Sequence, residues 1–192
     1  MWQVLLGYFA GSVPFAFLLA RRAGVDVRVA GSGNVGAANV LRTTGPWRGV
    51  LVMALDVAKG AVPVAVASVT NAGATLTALA AAAAVVGHIY PVWLRFHGGK
   101  GVSVAAGVFA VLTPVATAAA AALFLVIVWI TRYVSLGSIA ATIALPPAAW
   151  LTGEPRAVVA VAAAMGVLIL FRHRGNIRRL RAGTERRMGA RA

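Results

Sequence analysis

From Val102 to Thr131 the chain runs about thirty residues without a charged side chain. One helix of that length would reach about 45 Å, at about 1.5 Å per residue. A bilayer core is about 30 Å thick and takes about 20 residues. Thr113-Pro114 interrupts the run, and proline breaks or kinks a helix interior. The run therefore reads as a short segment at 102–112 followed by a full span at 115–131. Further apolar runs at roughly 2–20, 49–70, 74–93, 136–152 and 155–171 bring the total to seven segments.

Composition points the same way. Of 192 residues, 60% are hydrophobic and only 11% charged, whereas a soluble domain carries about 25% charged residues. A disordered chain needs low hydrophobicity and is excluded as well. The net charge of +14 could attract nucleic acid, but a nucleic-acid binder would have nowhere to put this apolar majority. The expected partner is the lipid bilayer, with no nucleic acid. The absence of cysteine excludes disulfides, thiolate metal sites and a Cys nucleophile. Four acidic residues are too few for a carboxylate-rich metal site.

Charge sets the expected topology. With seven segments and an outside N-terminus, all of the 18 Lys and Arg residues except Lys59 and Arg156 fall on one side, Arg191 of the tail included. The positive-inside rule makes that side cytoplasmic. Merging 102–131 into one span would send Arg132 and the whole basic tail outside. Residues 1–20 lack a basic leader, and Arg21-Arg22 follow the apolar run, which is the flank of an anchor and not of a cleaved signal. The expectation is an all-α membrane protein: a seven-segment transmembrane helical bundle with one short span and glycine-rich cytoplasmic loops. It forms a single domain over residues 1–192, with a basic cytoplasmic tail from about 172.

Unusual residues collect in four cytoplasmic stretches. Gly31-Ser32-Gly33-Asn34-Val35-Gly36 reads as a turn opening a short helix that Gly45-Pro46 stops. Helix N-termini present free N–H groups and a positive dipole end to phosphate, and Asn39 and Arg42 are expected to share one face of this helix. Gly31-x-Gly33-x-x-Gly36, the alternation from Val25 to Val29, and Asp56 twenty residues on mimic a dinucleotide fingerprint. That motif needs a βαβ unit, and Asp56 sits instead in a run of spanning length. The second stretch, Gly98-Gly99-Lys100-Gly101, follows His88 and precedes the short span. It is not a Walker A loop, because Gly101 stands where Ser or Thr is needed. His88 suits a packed, hydrogen-bonded role, and Lys100 suits either a headgroup contact or a phosphate contact.

The third stretch, Ser135-Leu136-Gly137-Ser138, starts a span and suits helix capping. In the fourth, His173, Asn176 and Leu180 share one helical face, while Arg174, Arg178 and Arg181 form another that suits anionic lipid. Asp56 and Lys59, three apart within a span, read as a mutual buried pair. The residues together describe a cytoplasm-facing site in a helical membrane protein, built to hold anions. They do not distinguish transport from transformation.

Several strings together resemble one family. G-S-G-N-V-G-A-A-N-V-L-R, D-V-A-K-G, G-H-I-Y-P-V-W-L with G-G-K-G-V, S-L-G-S-I, and R-H-R-G-N-I-R-R-L with G-T-E look like the bacterial acyl-phosphate-dependent glycerol-3-phosphate acyltransferases, the PlsY type. The strings run in family order from Gly31 to Glu185. The resemblance implies transfer of a fatty acyl group from acyl phosphate to the sn-1 hydroxyl of glycerol-3-phosphate, giving lysophosphatidic acid and phosphate, the first acylation of bacterial phospholipid synthesis. It implies a seven-span bundle in the inner membrane with a cytoplasmic active site. No cofactor or metal is implied, and a soluble partner enzyme makes the acyl phosphate.

By the same resemblance Ser32, Arg42, Lys100, His173 and Asn176 are the catalytic candidates. Gly31, Gly33, Asn34, Asn39, Gly98, Gly99, Gly101 and Ser138 would shape phosphate sites. Two acceptors stand open for the hydroxyl proton: His173, whose ordinary pKa suits a general base, and the donor's own phosphate. Departures from the family pattern are Ala38 where Thr is usual, Gly175 where Glu is common, and His97 at a position more often basic or glycine. Gly175 also loosens its helix by about 1 kcal/mol relative to Ala. The rival readings are a transporter or channel for a phosphorylated metabolite and a membrane scaffold. A transporter often shows paired repeats, and none is visible here.

Overall fold

The computed structural model describes residues 1–189, and all regular elements among them are helical. In hydrocarbon an unpaired backbone group has no water to bond, so a spanning segment has to satisfy itself internally, as a helix does. Arg191, counted above among the cytoplasmic basic residues, lies outside the described residues. The chain divides into two compact units, Met1–Leu112 and a second from Thr113 onward.

In the first unit, α1 (Trp2–Ser12) and α2 (Phe15–Arg22) divide the span expected to be continuous over 2–20. Pro14 is the cause, because it carries no N–H for the ladder. The Val13 N–H turns back to the Ala10 carbonyl at 3.3 Å, and the Phe15 N–H reaches the Val13 carbonyl at 3.1 Å. The two helices still make a 21-residue segment of spanning length and hydropathy. The short helix α3 (Ala37–Thr44) follows, then α4 (Pro46–Val69), α5 (Gly73–Ile89), a 3-10 turn at Val92–Leu94, and α6 (Val102–Leu112). The alternating stretch from Val25 to Val29 forms turns, not a strand.

Glycine brings these helices together. On α1 the residues Gln3, Gly7 and Gly11 recur every fourth position and are buried. Small residues at that spacing let two backbones touch. A Cβ on Gly7 would strike the Ala80 carbonyl of α5, and one on Gly11 the Ala84 carbonyl. The α1–α5 pair is pinned further by Tyr8 Oη donating to the Tyr90 carbonyl at 3.0 Å and Trp93 Nε1 donating to Ser12 Oγ at 2.9 Å. Gly107 of α6 likewise sits on the Val57 carbonyl of α4.

The second unit contains α7 (Pro114–Thr131), α8 (Val134–Leu151), α9 (Arg156–Arg172) and α10 (Arg174–Arg181). The split at Thr113-Pro114 falls where the sequence places it. Pro114 takes the helix start, where its missing N–H has no intrahelical partner to lose. The last two helices bend by 57° at His173. Five segments are long and apolar enough to cross a membrane, α9 with α10 makes a sixth, and α6 is an apolar helix of 11 residues, about 16 Å at the usual rise. All seven expected segments are therefore present as helices, one of them short.

The α1–α5 contact predicts a contrast between two glycines. Gly11→Ala should cost about 1–3 kcal/mol through overpacking. Gly166→Ala, whose new Cβ would meet nothing nearer than 3.6 Å, should change stability by no more than about 0.5 kcal/mol in the unfavourable direction. Thermal unfolding of both variants in one detergent checks this.

Candidate active site

The first glycine-rich loop is built on Asn39. Its side chain is 1% exposed. Its Oδ1 accepts the Ser32 N–H at 2.9 Å, and its Nδ2 donates to the carbonyls of Val27 and Ala30, each at 3.0 Å. Both amide hydrogens are thus engaged by the chain's own backbone. Gly31, at φ +63, lies so close that a Cβ would strike Asn39 Oδ1. The Gly33 N–H turns to the Ala30 carbonyl at 3.1 Å. Ser32 is left exposed on this loop, Asn34 is half-buried, and Arg42 is exposed on α3. The expected common face of Asn39 and Arg42 resolves into two environments, one under the loop and one outside it. Before the loop, the Arg28 side chain bonds Asp26 and holds its carboxyl down at about 2.

The second loop lies on the end of α5. The Gly98 N–H donates to the Ile89 carbonyl at 3.0 Å, and the Gly99 N–H to the His88 carbonyl at 3.2 Å. These bonds satisfy carbonyls that a helix C-terminus leaves open. Gly98 and Gly99 therefore contribute close approach, while their amides belong to the fold. A Cβ on Gly99 would stand 2.7 Å from the Val35 carbonyl, so the two glycine loops touch. Lys100 follows, half-buried, and Gly101 at φ +93 turns the chain into α6. The Asp56–Lys59 pair is formed as expected, with Nζ 2.8 Å from Oδ1 and both side chains buried. One unit thus holds Ser32, Asn39, Arg42 and Lys100.

His173, Asn176 and Ser138 belong to the second unit. His173 is 2% exposed at the α9–α10 bend. Its Nδ1 lies 2.8 Å from the Ile169 carbonyl. A carbonyl only accepts, so Nδ1 carries a hydrogen toward it. Asn176 is buried on the same face, and Arg174, Arg178 and Arg181 are exposed, which agrees with the two expected faces of this helix. Ser138 donates to the Val134 carbonyl of its own helix at 2.9 Å. Capping, expected of Ser135 and Ser138, is corrected: α8 has no side-chain cap.

Ser135 instead donates to Glu185 Oε1 at 2.7 Å, and Asn176 Nδ2 donates to the same oxygen. Arg179 Nε reaches the other oxygen at 2.7 Å. Glu185 was not among the expected site residues. Its signal was present, since a carboxylate in a chain with only four acidic residues needs a reason. Burial pushes this carboxyl up, but the three donors and the Arg179 charge outweigh it and hold it below the usual carboxylate range. Among the described residues, no group of three or more His, Cys, Asp or Glu could hold a metal ion.

The multi-pass helical fold defines a class, an integral membrane protein. The comparisons narrow it. The family model described as glycerol-3-phosphate acyltransferase matches residues 1–183, and the chain belongs to that family. A glycerol-3-phosphate acyltransferase of Syntrophotalea carbinolica is 45% identical over 98% of this chain and 97% of its own. One of Rubrobacter xylanophilus is 46% identical over 98% and 95%. The crystal structure of PlsY (YgiH), an integral membrane glycerol 3-phosphate acyltransferase, in its glycerol 3-phosphate form is 41% identical, with a TM-score of 0.94 over 98% of this chain and 94% of that one. Its lysophosphatidic acid form gives 0.92 over the same shares.

Glu185 makes stability depend on acid. Its folded-state pKa is depressed, so its stabilisation is complete above the unfolded value of about 4.3 and is lost as pH falls through the lower folded value. Between about pH 5 and pH 3 the thermal midpoint of the wild type should fall more steeply than that of Glu185→Gln. Parallel slopes would show that the carboxylate is not held in its charged form.

Proposed function

We propose that this enzyme transfers a fatty acyl group from acyl phosphate to the sn-1 hydroxyl of glycerol-3-phosphate, releasing lysophosphatidic acid and phosphate. The observation that carries the reading is the likeness to PlsY in both its glycerol 3-phosphate and lysophosphatidic acid forms, at 41% identity across 98% of the chain. The two units act as one acyltransferase of the bacterial inner membrane. Its N-terminus is outside, and its active site and C-terminus are cytoplasmic. A soluble enzyme supplies the acyl phosphate.

The chemistry needs little from the protein beyond placement and charge. The sn-1 oxygen attacks the acyl carbonyl carbon, a new C–O bond forms, and the bond to the phosphate oxygen breaks with its electron pair. The hydroxyl proton passes to His173 or to a phosphate oxygen. Arg42 and Lys100 hold phosphates and offset charge growing on the carbonyl oxygen and the leaving group. Ser32, on the loop that Asn39 ties down, orients a substrate from an exposed position. Asn176, oriented by Glu185, and His173 serve the reacting hydroxyl. Gly31, Gly33, Asn34, Gly98, Gly99, Gly101 and Ser138 shape the surroundings of the phosphates.

Purified protein in detergent should form lysophosphatidic acid from acyl phosphate and glycerol-3-phosphate with a chelator present, and none from acyl-CoA. Turnover abolished by the chelator and restored by a divalent ion would overturn the metal-free reading. Arg42→Ala should lose about 2–4 kcal/mol of transition-state stabilisation, about thirty- to a thousand-fold in kcat/KM. Arg42→Lys should be intermediate, because a lysine lacks the planar fork. Arg181→Ala, on an exposed part of α10, should cost less than about tenfold. Arg42→Ala retaining more than a third of wild-type kcat/KM would remove Arg42 from the site. For topology, the chain has no native cysteine, so Asn71→Cys and Glu154→Cys should label from outside intact cells and Gly183→Cys should not.

A further inference from the structure

Asp56, Lys59 and His88 form an ionisable cluster that the reaction above leaves unused. They are 1%, 8% and 7% exposed, inside segments that are otherwise apolar. Charge at such depth is expensive and is retained where it has something to do. Two nitrogens converge on one oxygen of Asp56: Lys59 Nζ at 2.8 Å and His88 Nδ1 at 3.8 Å. Lys59 also donates to the Val13 carbonyl at 2.7 Å, at the break between α1 and α2, and lies 5.6 Å from the centre of the Phe15 ring. The Asp56 carboxylate thus stands beside one edge of the His88 ring.

The opposite edge of that ring meets the second glycine loop. A Cβ on Gly99 would strike His88 Nε2. The Gly99 N–H is bonded to the His88 carbonyl at 3.2 Å. Gly98 presses on the same carbonyl so closely that a Cβ there would collide with it. The loop is therefore seated on His88 by ring and by backbone, and Lys100 is the next residue. Asp56, Lys59, His88, Gly98 and Gly99 line one small cavity. If the pair served packing alone, it would have no need to reach a histidine that bears on the loop, since apolar residues can replace a buried ion pair at little cost.

We propose that His88, braced by Asp56 and Lys59, is a positioning residue that sets the seat of the Gly98–Gly101 loop and through it the reach of Lys100 toward a substrate phosphate. The inference rests on the reading of Lys100 as a phosphate contact. His88 touches no substrate; it acts through the loop.

The test is a double-mutant cycle read by steady-state kinetics in both substrates, with thermal unfolding measured in the same detergent. His88→Ala should raise KM for at least one phosphate-bearing substrate fivefold or more. On a Lys100→Ala background the same change should cost less than twofold in kcat/KM, because the group it positions is gone. If Lys100→Ala turns over too slowly to measure, Lys100→Arg serves as the background. If His88→Ala does not fold, His88→Asn takes its place. It keeps a donor near Asp56 and removes the edge against Gly99, and it should show the same KM rise at a near-wild-type unfolding midpoint. A lower midpoint with unchanged KM would make His88 a packing residue and overturn the proposal. The same factor lost on both backgrounds would overturn it too, while leaving Lys100 in its role. Wild-type kinetics for Lys100→Ala would instead remove Lys100 from the site, and this proposal with it.

Discussion

Every backbone N–H and C=O that lies in hydrocarbon needs a partner from the chain itself, and the rest of this structure follows from how that need is met. The spans meet it with helical ladders. Where the ladder fails, a side chain or a loop amide steps in. At Pro14 the chain breaks, and the Lys59 ammonium donates to the Val13 carbonyl at 2.7 Å. At the end of α5 two glycine amides take the carbonyls of His88 and Ile89. At the first loop, three backbone groups are gathered by the single amide of Asn39. The irregular backbone of both glycine loops is thus tied to helices by hydrogen bonds.

This division explains what could be read from the sequence. Spans are local: a run of apolar residues and a Thr-Pro interruption decide them, and the split between α6 and α7 falls where both features indicate. The Asp56–Lys59 pair is local as well, being three residues apart on one helix. The break at Pro14 was legible in principle by the same rule applied at Pro114. A run of only about 20 residues gave no length conflict to force the question.

The site was less legible, because its supports join residues distant in sequence. Asn39 reaches back 12 positions to Val27, and Ser135 meets Glu185 across 50. Residue type alone did not show that Asn39 ties the loop with its amide hydrogens, and it made Ser135 look like a cap. At the glycines of the second loop the structure shows the absence of a Cβ beside His88 and Val35, neighbours that no local spacing indicates. The dinucleotide mimic fails for a related reason. Its glycines do open a helix, but no strand precedes them, and the acidic residue twenty positions on is paired with Lys59.

The carboxylate of Glu185 has a practical side. It ties the chain beyond α10 to Ser135, and just after it Arg187 Nε donates to Tyr133 Oη at 3.2 Å and the Met188 N–H to the Arg132 carbonyl at 2.7 Å. The stretch from 184 to 188, devoid of regular structure, is consequently as much a part of the second unit as its helices. For protein engineering this marks a boundary: trimming back past Met188 cuts into the part of the enzyme that orients Asn176.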